Sequence, residues 1–353
     1  MTGRWERIID MKTVTLGKTG ITVNKNGFGA LPIQRISKDA AAGLLQRAFE
    51  AGIRYFDTAR AYSDSEEKIG YALCDVRKEL YIATKTGADN AEDFWRDIHT
   101  SLEHLKTDYI DVMQFHNPSF LPVPGGKDGL YDAIMDAKRQ GMVRHIGITN
   151  HRLPVAKEAV ASGMYETIQF PFSYLAAEPD LALVGECAEK GIGFVAMKGL
   201  SGGLINNSAA AYAYLAQFDH VLPIWGVQRP HELEEFISYI DNPPTMTDEI
   251  KTLIEYDRGQ LCGDFCRACG YCMPCPMGIE INTCARMSLL LRRAPHEQFL
   301  VPEMQEEMNK IDNCLNCGHC RSKCPYGLDT PALLRRNLVD YREVLAGKSV
   351  TDQ

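Results

Sequence analysis

Between about residue 26 and about residue 240, short apolar runs alternate with longer stretches in which apolar residues recur every three or four positions. The runs predict strands near Asn26–Ala30, Tyr55–Asp57, Leu80–Lys85, Ile110–His116, Val143–Thr149, Thr167–Phe170, Gly193–Met197 and Val221–Gly226. The amphipathic stretches predict helices near Lys38–Ala51, Ser65–Cys74, Ala91–Leu105, Gly129–Gln140, Pro154–Ser162, Leu181–Lys190, Ala209–Phe218 and Pro230–Ile240. This is the pattern of repeated β/α units. About eight units in roughly 230 residues fit a (β/α)8 TIM barrel, whose usual size is about 250. A doubly wound open sheet would place a Gly-rich phosphate turn between its first strand and first helix; here Gly27-Phe28-Gly29-Ala30-Leu31 runs into Pro32, which favours the barrel. Ahead of the units, Thr13–Gly17 and Gly20–Val23 predict a β-hairpin capping one end.

Three successive runs finish on ionisable residues. Tyr55-Phe56-Asp57 ends in an acid and delivers Tyr62 a few residues later, the run to Lys85 ends in a cation, and the run to His116 ends in an imidazole. In a parallel β/α barrel, functional side chains sit where strands stop, at the carboxyl face, so the coincidence marks a candidate active site. Each residue alone has a plainer role, as helix cap, solvated strand-end cation or satisfied loop histidine.

The chain has 353 residues, 45% hydrophobic and 24% charged, enough for one large domain and a small one. A net charge of -8 argues against nucleic acid or an anionic membrane face as general partners. No signal-type or membrane-spanning apolar run is evident, so a cytoplasmic protein is expected. The 12 cysteines are unevenly spread: outside Cys262–Cys324 only Cys74 and Cys187 occur. The expected organisation is an N-terminal extension (1–12), the barrel (13–245), a helical linker (246–260), a cysteine-rich module (261–346) and a tail (347–353).

The segments Phe56-Asp57-Thr58-Ala59-Arg60-Ala61-Tyr62 with Ser65-Glu66, Ile82–Lys85, Gln114-Phe115-His116 and Gly141–Asn150 resemble, in order, those of the aldo-keto reductases. The resemblance implies NAD(P)H-dependent interconversion of a carbonyl and an alcohol by a tetrad of Asp57, Tyr62, Lys85 and His116. It further implies nucleotide contacts from Ala30, from Thr149, Asn150 and Gln169 around the nicotinamide, and from Leu200, Gly202 and Gly203 at the pyrophosphate. Gly226, Gln228 and Arg229 stand where the family meets the adenosine 2'-phosphate. Ser63 replaces a frequent glycine, and Met197 stands where many members stack an aromatic on the nicotinamide. Gln228 replaces a frequent cation, so NADP(H) is favoured only modestly over NAD(H). The stretch from His116 to Lys127, rich in proline and glycine, is a candidate lid.

The cysteines form an internal duplication. Cys314-x2-Cys317-x2-Cys320-x3-Cys324-Pro325 has the complete spacing of bacterial two-cluster ferredoxins, in which the fourth cysteine of each run ligates the other cluster. The earlier copy, Cys266, Cys269, Cys272 and Cys275, is one residue shorter. By that logic Cys266, Cys269, Cys272 and Cys324 hold one 4Fe-4S cluster, and Cys314, Cys317, Cys320 and Cys275 the other. Two zinc sites are the alternative. Cys262 and Cys284 fall outside the repeat and read as packing residues. Helical stretches at Asn282–Arg292, Pro302–Ile311 and Pro331–Leu345 make the module similar to α-helical dicluster ferredoxin domains.

Three roles for the clusters are open: electron relay between the barrel and an external carrier such as ferredoxin or flavodoxin, stabilisation of a small module, or a redox-sensing protein whose barrel only binds nucleotide. Hydride carries two electrons and each cluster normally one, with no flavin signature to convert between them. The substrate is a small-molecule carbonyl.

Overall fold

The computed structural model describes residues 13–261, 265–293 and 296–350. The expected N-terminal extension and Cys262 lie outside the described residues. The chain forms two compact units. Of the described residues, those up to Gly199 with Tyr212–Thr245 make one, and Leu200–Ala211 with those from Met246 onward make the other.

In the first unit, β1 (Thr13–Thr15) and β2 (Thr22–Asn24) form an antiparallel hairpin. Eight parallel strands follow: β3 (Gly27–Gly29), β4 (Tyr55–Asp57), β5 (Tyr81–Thr86), β6 (Ile110–His116), β7 (Val143–Thr149), β8 (Thr167–Pro171), β9 (Gly193–Met197) and β10 (Val221–Gly226). They close into a barrel in chain order, with β10 pairing back on β3. Between them run α1 (Lys38–Glu50), α2 (Ser65–Leu73), α3 (Ala91–Leu105), α4 (Leu130–Arg139), α5 (Leu153–Ser162), α6 (Glu178–Lys190) and α7 (Ser208–Leu215), whose residues up to Ala211 belong to the second unit, with α8 (Pro230–Asp241) after β10. Capping follows local chemistry: the Ser37 hydroxyl accepts from Ala40 N at the start of α1, and Asn90 does the same for Asp93 N at α3.

The period-two alternation of the strands stacks the interior in layers. Tyr55, Ala83 and Val112 form an apolar layer with Val195, Leu222 and Ile224. The hairpin residues Val14, Leu16, Ile21 and Val23 close this layer from the amino-terminal side. One step along the same strands the inward positions are Asp57, Lys85 and Gln114, all buried. The polar layer therefore lies directly above an apolar plug. Gly147 makes room in it: a Cβ there would collide with Thr167 Oγ1 and stand 3.0 Å from Gln114 Cγ.

The second unit is helical. It contains α9 (Asp248–Gln260), α10 (Ile281–Cys284), α11 (Met287–Arg293), α12 (Pro302–Asn309), α13 (His319–Lys323) and α14 (Thr330–Leu345). The helix expected over Asn282–Arg292 is broken between α10 and α11. Asn337 of α14 explains the break: its Oδ1 accepts from Ser288 N (2.8 Å) and its Nδ2 donates to Ala285 O (3.2 Å), satisfying backbone groups that a continuous helix would have used. Arg292 and Asp340 clasp α11 to α14 through two bonds of 2.7 and 2.8 Å. With burial opposing, the Arg292 guanidinium holds the Asp340 carboxyl down at about 2. Among the described residues no helix is long and apolar enough to cross a membrane.

Candidate active site and cluster cavities

Asp57 closes β4 and Lys85 lies near the end of β5, on adjacent strands. Lys85 Nζ donates to Asp57 Oδ1 at 2.7 Å and to the Thr58 carbonyl at 2.6 Å. Burial pushes the Lys85 ammonium below its ordinary range and the Asp57 carboxyl above its own, and each is opposed by the partner's charge. Two amides complete the setting. Gln114 donates to Gln169 Oε1 (2.9 Å), and Gln169 Nε2 faces the Asp57 carboxylate at 3.4 Å.

Tyr62 is carried by the loop after β4. That loop is tied to the end of β5 by Thr58 N to Ala83 O (2.8 Å) and Arg60 N to Lys85 O (3.0 Å), and its turn closes through Tyr62 N to Ala59 O (3.0 Å). Beneath it, fully buried Glu66 accepts from Thr84 (2.5 Å), from Ser101 (2.8 Å) and from Arg60. Lys85 Nζ lies 5.2 Å from the Tyr62 ring centroid, and the Tyr62 and His116 rings meet edge-on with centroids 5.8 Å apart. Ser63 adopts a left-handed backbone (φ 40°), a conformation that the glycine expected at this place would adopt without a Cβ penalty. Burial, reinforced by the Lys85 charge, pushes the His116 imidazole down to about 3, so the ring is neutral near pH 7. The four side chains expected to act together are thus adjacent at the carboxyl ends of β4, β5 and β6.

Thr149 ends β7, Asn150 follows it and Gln169 lies mid-strand in β8, all three buried. Their polar atoms are already engaged: Asn150 Nδ2 donates to Pro118 O and its Oδ1 accepts from Arg152 N, while Thr149 Oγ1 lies 3.8 Å from Met197 Sδ. Ala30 is fully buried, its backbone bonded to Asp57 O and Ser65 Oγ. Exposed Gly226 ends β10, and the amides of Gln228 and Arg229 both donate to Glu232 Oε2 (2.9 and 3.0 Å). The Arg229 guanidinium stands 3.7 Å from the same carboxylate group. The stretch read as a lid is pinned at two carbonyls, Pro118 by Asn150 and Pro122 by the Tyr165 hydroxyl (2.6 Å). Leu200, Gly202 and Gly203 fold with the second unit.

A match to the 'Aldo/keto reductase family' spans residues 25–210, more than half of the chain. The chain belongs to the aldo/keto reductase family. Curated relatives of this aldo/keto reductase include the uncharacterized oxidoreductase YqkF of Bacillus subtilis, 30% identical over 48% of the chain and 59% of the relative. Methylglyoxal reductase DkgB of Salmonella typhi is 33% identical over 40% and 53%, and L-galactose dehydrogenase of Arabidopsis thaliana 30% over 54% and 66%. The chain thus spans little more than half the length of the curated relatives it matches. The fold resembles an aldo-keto reductase of Bacillus halodurans in its holo form (TM-score 0.61, 22% identity, 70% of this chain and 96% of that one). It also resembles one of Klebsiella pneumoniae solved with NADPH (0.61, 18%, 70% and 95%).

In its second unit this aldo/keto reductase matches a 4Fe-4S dicluster domain over residues 265–329. Two cavities lie there. Cys266, Cys269, Cys272 and Cys324 line one, and Cys275, Cys314, Cys317 and Cys320 line the other. Ile281 forms part of both walls. An all-sulfur donor set around a void suits an iron-sulfur cluster. Burial, with the neighbouring thiols of Cys266 and Cys269, pushes the Cys272 thiol up to about 12, so a bound cation is what would hold it as thiolate. Cys284 is buried outside both linings.

Sequence reasoning gave no role to Gln114 or Arg286. Gln114 carried a readable signal, since it lies two positions before His116 on one strand and shares its face. For Arg286 no local signal existed, because its surroundings come from distant segments.

Proposed function

We propose that the barrel catalyses NAD(P)H-dependent reduction of a small aldehyde or ketone, or the reverse oxidation. The observation that carries this reading is the buried Lys85–Asp57 pair beneath Tyr62 and His116. The nucleotide, when bound, supplies hydride to the carbonyl carbon. The Tyr62 hydroxyl donates its proton to the carbonyl oxygen, so hydride and proton together make the alcohol. The Lys85 ammonium stabilises the phenolate left on Tyr62, and Asp57 keeps the lysine charged despite its burial. His116, neutral, donates a hydrogen bond to the substrate oxygen and orients it.

Thr149, Asn150, Gln169 and Met197 would face the nicotinamide, and the loop at Leu200, Gly202 and Gly203 the pyrophosphate. Gly226, Gln228 and Arg229 would lie towards the adenosine. With Glu232 holding Arg229, a 2'-phosphate gains that cation only when the pair opens, which fits a small preference between NADPH and NADH. Two 4Fe-4S clusters, ligated crosswise by the two thiol sets, complete the cofactors, and a carrier such as ferredoxin or flavodoxin is their natural external partner. Thiolate-held clusters suit a reducing cytoplasm.

Tyr62→Phe tests the reading. The variant should lose about 10²- to 10⁴-fold in NAD(P)H-dependent turnover across an aldehyde and ketone panel while keeping iron-sulfur absorbance. Full turnover in that variant sinks the proposal.

A further inference from the structure

Arg286 occupies the break between α10 and α11, where Asn337 fixes the backbone on both sides. Its Nη1 donates to the carbonyl oxygen of Gly202. Seven residues on, Arg293 Nε donates to Leu204 O (2.7 Å), so two arginines of one short segment hold the 200–205 loop by its carbonyls. The grip has a conformation to hold: Ser201, a residue with a Cβ, sits at φ 48°, followed by Gly202 at 67° and Gly203 at 90°.

Gly202, which Arg286 holds, also lies against the first cysteine run. A Cβ on Gly202 would lie 3.2 Å from Arg286 Nη1, 3.5 Å from Ala268 Cβ and 3.5 Å from Arg267 O, so the loop packs directly on the Cys266–Cys269 turn. The Cys266 sulfur is near enough to act on the guanidinium, and Arg286 Nε is buried with no hydrogen-bond partner among the described residues. A buried guanidinium donor without a partner is costly, and an adjacent anion is the group that would relieve it.

We propose that Arg286 is a positioning residue linking the Cys266/Cys269/Cys272/Cys324 cluster to the 200–205 loop. It offers Nε–H to a sulfur of that cluster while holding Gly202 by Nη1. The redox state of the cluster therefore biases nucleotide binding, given the assignment of this loop to the pyrophosphate made above. One electron added to the cluster strengthens its pull on the guanidinium and loosens the grip on Gly202. The same charge also repels an approaching pyrophosphate. Both effects make NADP⁺ bind more weakly to the reduced protein, and by linkage NADP⁺ lowers the potential of this cluster.

The test uses the full-length protein, purified anaerobically with iron content measured, titrated with dithionite and followed by electron paramagnetic resonance. Arg286→Gln should lower the midpoint potential of one cluster and leave the other unchanged, because a nearby cation favours the reduced state. Arg286→Lys, which keeps the charge, should recover most of the shift and also serves if the glutamine variant loads poorly. In wild type, fluorescence titration should give NADP⁺ affinity about fivefold weaker after reduction, a difference absent from Arg286→Gln. Identical potentials in wild type, Arg286→Gln and Arg286→Lys overturn the proposal, as does NADP⁺ affinity in wild type that ignores cluster reduction. A wild-type protein that binds no NADP⁺ overturns instead the nucleotide reading of the loop, and the potentials still decide whether Arg286 acts on the cluster.

Discussion

Lys85 on β5 and Asp57 on β4 form a buried ion pair 2.7 Å long, above an apolar plug and below a tyrosine. Burial pushes both groups towards neutrality, each charge opposes that for the other, and Thr58 and Gln169 supply further bonds. Removing one partner strands the other. Asp57→Asn or Lys85→Met should each destabilise the protein by about 3–5 kcal/mol in urea unfolding, and the double variant by less than the sum. Additive losses would show that the two groups are not coupled in solution. Lys85→Met should also lower turnover by about 10²-fold or more.

His116 makes stability depend on pH in a definite sense. In the unfolded chain its ordinary pKa is 6.5, whereas in the fold burial and Lys85 hold it at about 3. Between those values the unfolded state binds the extra proton, so this contribution is complete above pH ~6.5 and is lost as pH falls towards ~3. His116→Gln should reduce the loss of stability seen between about pH 7 and about pH 4. The same shift predicts a rate profile with no acid-side inflection near pH ~6.5 from this ring. An inflection there that vanishes in His116→Gln would contradict the neutral-imidazole role.

Glu66 gathers Arg60, Thr84 and Ser101 under the Tyr62 loop with no exposure of its own. Glu66→Ala leaves a cation and two hydroxyls without an acceptor and should cost about 3–5 kcal/mol. Glu66→Gln keeps an acceptor but loses the charge and should cost about 1–3 kcal/mol. Thermal unfolding of the cluster-loaded protein measures both, and equal costs would show that the retained acceptor contributes nothing beyond the charge.

Crossed ligation makes an asymmetric prediction. Cys324→Ser, although in the second cysteine run, should remove the cluster held mainly by the first run, and Cys275→Ser should remove the other. Each variant should lose about four of about eight irons and keep a different resonance signal. Loss of the same cluster in Cys324→Ser and in Cys317→Ser would rule out the crossed pairing.

Much of this was legible in the chain itself. Period-two alternation places Tyr55 with Asp57, Ala83 with Lys85 and Val112 with Gln114 and His116, so the layers and the face carrying the chemistry are local properties. The cysteine spacing likewise announces three ligands of each thiol set, because those lie within a few residues of one another, whereas the fourth of each comes from the other run. What only the tertiary structure decided is which distant groups become partners. Gln169 comes to face Asp57 and Glu232 takes the amides of Gln228 and Arg229. Asn337 breaks the helix expected over Asn282–Arg292, and Arg286 at that break reaches back to Gly202. A strand's alternation is set by its own backbone geometry, but a buried polar group accepts any partner that chain closure brings within reach. That choice depends on the whole fold at once.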